Sequence, residues 1–140
     1  MKAITTFFAF ALFLFCSCGE DSPTNSSSKT YKYTGYIENG NIIITGYLWI
    51  ESVDSTNIIG RWDFKLVGSE ENLGPQIGKG NFEGQKDSRG SMQINLNPGF
   101  IDNNVILDGS LLNLHYNGTW SYIGFPGVIN SGSFEAKQLH

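Results

Sequence analysis

The chain has 140 residues, nine basic against thirteen acidic, for a net charge of −4. That is room for one domain, and an acidic balance with no basic block speaks against a nucleic-acid surface. Seventeen glycines without a collagen-like period, beside three Trp, six Tyr and ten Phe, predict an all-β fold with many turns and an aromatic core.

Met1-Lys2 gives a short positive start, and residues 3–15 are almost wholly apolar. The run is shorter than the about 20 residues a membrane helix needs, and it matches a secretory signal peptide over 1–17. Both cysteines of the chain, Cys16 and Cys18, close it, so the rest of the chain has no disulfide and no Cys-based zinc site. Phe15-Cys16-Ser17-Cys18-Gly19 resembles a bacterial lipoprotein lipobox, with Phe15 where leucine is usual and Cys16 where a small residue is usual. The resemblance implies cleavage before Cys18, acyl chains such as palmitate on Cys18, and anchoring at the outer membrane. The alternative is ordinary cleavage and a free secreted protein. Gly19-Glu20-Asp21 resembles the surface-export signal of Bacteroidota lipoproteins, and the Ser-rich remainder of 18–29 is a flexible tether.

Residues 30–140 form the expected domain. Residues 31–38 alternate loosely and lead to the hairpin signal Asn39-Gly40-Asn41. Over 42–51, Ile42, Ile44, Leu48 and Ile50 share one face, with Ile43, Tyr47 and Trp49 on the other. Residues 58–67 alternate with Trp62, Phe64 and Leu66 on one side and Arg61, Asp63 and Lys65 on the other. A polar loop at 68–75 precedes strands at 77–85 and 91–97, with Met92, Ile94 and Leu96 inward. After a connection carrying Phe100-Ile101 come short strands at 105–107 and 111–116, turning at Asp108-Gly109. Two last strands flank Phe125-Pro126-Gly127. Eight or nine strands joined in sequence predict a small antiparallel up-and-down β-barrel, with a β-sandwich as the alternative.

A glycine followed two residues later by an aromatic recurs at Gly60-Arg61-Trp62, Gly80-Asn81-Phe82, Gly118-Thr119-Trp120 and Gly132-Ser133-Phe134. Each glycine leaves a gap on the face where its aromatic stands, which predicts tight curvature with rings over glycine gaps and favours the barrel. The recurring Gly-x-Trp is similar to the motif of calycins, the lipocalin and avidin-like barrels. That resemblance implies a mouth for a small or apolar ligand.

Catalysis finds little support. His115 has no partner fixed by sequence and is a surface histidine, and the carboxylates are scattered singly. Asp102-Asn103-Asn104 with Asp108 lacks the spacing of a calcium loop. Asn25-Ser26-Ser27 and Asn117-Gly118-Thr119 fit a glycosylation sequon and are taken as linker and turn. The expectation is no enzyme, no metal and no cofactor. The aromatics are the richer resource. Tyr47 and Trp49 are either a second buried layer or an exposed platform for a sugar or apolar ligand. Tyr122, Phe125 and Phe100 fall near loop ends, where barrels bind. Two functional readings stay open. One is a lipid-anchored barrel binding a small apolar ligand, glycan or envelope protein; the other is a filled interaction or inhibitor module acting through its outer surface.

Overall fold

The computed structural model describes residues 27–140; the expected signal segment, Cys18 and the expected tether up to residue 26 lie outside them. Eight strands follow in order: β1 (Lys29–Tyr36), β2 (Ile42–Ser52), β3 (Asn57–Leu66), β4 (Gly78–Lys86), β5 (Ser91–Asn95), β6 (Asn103–Leu112), β7 (His115–Gly124) and β8 (Gly127–Gln138). Each pairs antiparallel with the next, and β8 returns to β1, closing the barrel. Closure gives every strand a neighbour on both sides, although β4 meets β5 only over Glu83–Lys86. With every strand paired on both sides and the core drawn from Tyr31 to Ala136, residues 27–140 form a self-contained folding unit.

The β1–β2, β3–β4, β5–β6 and β7–β8 connections meet at one end, here the upper rim. The other three connections, the start of β1 and the end of β8 form the lower rim.

Eight strands enclose a bore only just wide enough to be filled by side chains, and no two inward aromatic rings stand directly opposite each other on neighbouring strands. The glycines achieve this across strands rather than along them. The two Gly-x-aromatic strands β3 and β4 run antiparallel in a register that sets Gly60 opposite Phe82 and Trp62 opposite Gly80. The device repeats in β7 and β8, with Gly118 opposite Phe134 and Trp120 opposite Gly132. Each ring thus covers its neighbour's glycine. Gly46 lies between Tyr33 and Phe64, whose rings stack above it with centroids 4.1 Å apart. A Cβ on Gly80 would come within 2.9 Å of the Trp62 indole. Phe134 extends the stack to Tyr33 at 5.6 Å and meets Tyr116 edge-on at 4.7 Å. The polar tips of these rings are mostly satisfied. Trp62 Nε1 donates to Leu96 O at 3.0 Å, Trp120 Nε1 to Tyr36 O at 2.9 Å, and Tyr116 Oη to Leu107 O at 2.8 Å.

Five local expectations are corrected, the first being the sequon Asn117-Gly118-Thr119, which lies inside β7 and not in a turn. The turn expected at Asp108-Gly109 lies at Asn113-Leu114, and both flanking segments are longer than expected. Asp108 and Gly109 run on within β6, where Gly109 faces Gly118. A register shift between Gly35 and Tyr36 inserts an extra residue opposite, so Ile43 is buried and Ile42 exposed, the reverse of simple alternation. Leu66, at the end of β3, is also exposed. The loop expected to be polar at 68–75 is a plug: Leu73 and Gln76 are buried, Gln76 Nε2 donates to Leu73 O at 2.8 Å, and Gly74 lies under the Tyr122 ring.

Outward positions carry Lys32, Arg61, Asp63, Lys65, Glu83 and Asp108 among others. A barrel that spans a lipid bilayer presents an apolar band there, so this wall is built to face water.

Candidate functional site

The aromatic residues expected to bind separate into two places. Tyr47 and Trp49 stand on the outer wall of β2, because Leu48 and Ile50 take the inward positions. Their rings are 6.0 Å apart at 37°. Trp49 pairs across the strands with Arg61, whose guanidinium carbon lies 5.5 Å from the indole centroid, and Tyr47 pairs with Asp63. Lys79 and Asn81 of β4 complete the neighbourhood of a shallow recess of about 250 Å³. The outcome is an exposed platform rather than a second buried layer, but one ring face is already covered by a cation.

Phe100, Tyr122 and Phe125 all belong to the upper rim. Tyr122 points inward and seals the barrel against Gly74, so it is part of the plug. Phe100 and Phe125 point to water. Phe125 is 92% exposed at the tip of the β7–β8 turn, and Ile101, beside Phe100 on the neighbouring β5–β6 connection, is 95% exposed. Val67, Val128 and Ile42 extend the apolar rim around the same end. Phe100 and Phe125 stand at loop ends as expected; that Ile42, Val67 and Val128 join them is not visible in the sequence, because these positions run from residue 42 to residue 128 and meet only through closure.

The charges of that rim have one sign. Over 37–42, 66–78, 96–103 and 124–128 there are four carboxylates, Glu38, Glu70, Glu71 and Asp102, and no Lys or Arg. A groove beside it joins Glu38 and Glu70 to Val128 and Ile129. Apolar tips ringed by carboxylates form a surface suited to an apolar partner with basic flanks.

The perturbed ionisable groups lie elsewhere and have structural explanations. Asp54 and Asp87 sit below the usual carboxylate range chiefly because backbone N–H groups of Asn57 and Ser91 donate to them. Tyr36 Oη donates to Glu135 Oε1 at 2.9 Å; this bond lowers Glu135, while burial and then the same bond raise the Tyr36 phenol. His115 is exposed at the start of β7 opposite Lys137. Among the described residues no group of three or more His, Cys, Asp or Glu converges to hold a metal. Nothing in these places pairs a base with a nucleophile.

Comparison of the chain with protein-family models, with curated proteins and with solved structures finds no match. The class is therefore defined by the fold alone: a closed, eight-stranded, up-and-down barrel with its centre filled by aromatic rings.

Proposed function

We propose that this is a non-enzymatic, lipid-anchored module of the bacterial outer membrane that docks a protein partner through its upper rim. The observation carrying this reading is the opposition of two ends. The chain enters the barrel at Lys29 on the lower rim, while Phe125 and Ile101 stand exposed among carboxylates on the upper rim. A tether running to Cys18 holds the lower rim toward its membrane and directs the upper rim away from it. Exposed apolar side chains there serve a protein rather than the anchoring bilayer, and the carboxylates select Lys- or Arg-flanked apolar surface. The filled bore favours this over a carrier with cargo in its centre. A glycan on Tyr47 and Trp49 is the weaker reading, since Arg61 occupies the indole face a sugar would stack on.

Site-specific photo-crosslinking of the full chain in its own cells tests the proposal. A photoreactive residue at position 125 is expected to trap one defined heterologous protein, and Ile101→Asp in the same chain to reduce that product about tenfold. Position 88, on a lower-rim turn, is the control and should not trap it. No product at 125, a product of twice the chain's mass, or the same product from both positions would sink the idea.

A further inference from the structure

The aromatic filling stops short of the lower rim. Tyr31, Ile50, Ile58, Met92 and Leu111, from five different strands, line a recess of about 260 Å³ just inside that end. Tyr31, Ile58 and Met92 are only 1% exposed, so water barely wets the floor. The mouth is polar and basic, with Lys29, Lys86, Ser27 and Ser52 around it. Lys86 Nζ donates to Ser52 Oγ at 2.7 Å across the lip. Among the described residues no carboxylate lies within 4.0 Å of either ammonium.

The nearby acids are engaged in their own turns. Asp54 accepts from the backbone N–H groups of Thr56 and Asn57 and from the Asn57 amide, each at 2.7 Å. Asp87 accepts from the backbone of Arg89 and Ser91 and pairs with the Arg89 guanidinium at 3.2 Å. Asp54 lies near enough to Lys86 to feel its charge, but neither lysine is in contact with a carboxylate, and both face an apolar recess.

We infer that the lower rim is a binding cup for a small amphiphile carrying one short apolar tail and one anionic head. The tail packs against the apolar floor and the half-exposed Leu111 at the lip, and the head takes the hydrogen bonds of Lys86, Ser52 and Lys29. The volume is below the about 300 Å³ at which drug-sized pockets begin, so the tail is short. This site is independent of the upper rim and stands or falls apart from it.

Met92 is the only methionine after residue 1, so ¹³C-methyl-methionine labelling of residues 27–140 places one NMR probe on the floor of the cup. Millimolar octanoate is expected to move that methyl signal saturably, and octanol to bind about fivefold more weakly for want of a charge. Lys86→Gln should bring octanoate down to the octanol level. Leu111→Trp, at the half-exposed lip, should block both while the Trp62 and Trp120 indole signals stay dispersed. An unmoved methyl signal overturns the cup. Equal binding of the two probes, or full octanoate affinity in Lys86→Gln, overturns the anionic head, and unchanged binding in Leu111→Trp overturns the location.

Discussion

Two tyrosines in the same core have opposite hydroxyl economies. Tyr33 is fully buried between Phe64 and Phe134, and its hydroxyl has no hydrogen-bond partner. Tyr116 is as deeply buried but donates to Leu107 O at 2.8 Å, with Met92 O at 3.2 Å. Leaving a buried hydroxyl unpaired costs more than a formed bond returns, so the two Phe variants should differ in sign. Tyr33→Phe is expected to stabilise residues 27–140 by about 1 kcal/mol and Tyr116→Phe to destabilise them by about 1 kcal/mol. Urea unfolding at neutral pH reads both, and a loss of stability in Tyr33→Phe would reveal a partner for that hydroxyl.

At the scale of elements, the β6–β7 hairpin turns on a residue ill suited to the place. Asn113 and Leu114 both take left-handed backbone, at φ 50° and 68°, the pattern of a two-residue turn in which glycine is usual at the second position. Leu114 is 44% exposed, so little burial compensates the strain. Leu114→Gly is therefore expected to raise the urea midpoint by the equivalent of about 1 kcal/mol with an unchanged slope. The same residue explains why this hairpin was misread in sequence: Leu111 to Tyr116 looks like a strand, while Asp108-Gly109 has turn chemistry. Gly109 is there for another reason, the close approach of β6 to β7 at Gly118. The strands with clear period two, and the turns at Asn39-Gly40 and Phe125-Pro126-Gly127, were legible because their local chemistry and tertiary role agree. The Gly-x-aromatic repeat was legible as curvature, but its cross-strand reciprocity needs the register, which no single strand contains. Of the candidate site, exposure at Phe100, Ile101 and Phe125 could be read from loop position. The inward turn of Tyr122, the plug at Leu73 and the sorting of residues to two rims could not, because they follow from closure.

The whole molecule is a filled cylinder with unlike ends, and the same filling sets the pH range over which it holds. Tyr33 and Tyr116 have phenols pushed well above the usual 10.0, first by burial. A raised folded-state pKa contributes stability that is complete below the unfolded value and is lost as pH climbs past it, because only the unfolded chain can ionise there. Asp54, Asp87 and Glu135 lie below their usual 3.8, 3.8 and 4.5. Their contribution has the opposite sign: present above those values, and lost as pH falls toward the lower folded-state ones. Stability is therefore expected to be flat from about pH 5 to pH 9 and to fall on both sides. Each limb has its own author. Tyr33→Phe should make the alkaline fall shallower without touching the acid one, and Asp87→Asn should make the acid fall shallower while lowering the plateau, since the amide accepts the Ser91 and Arg89 N–H groups less well. Urea midpoints measured across pH separate the two limbs. An alkaline limb unchanged in both Tyr33→Phe and Tyr116→Phe would mean that the unfolding pH is set outside the aromatic stack, against the view that this stack is the centre around which the barrel closes.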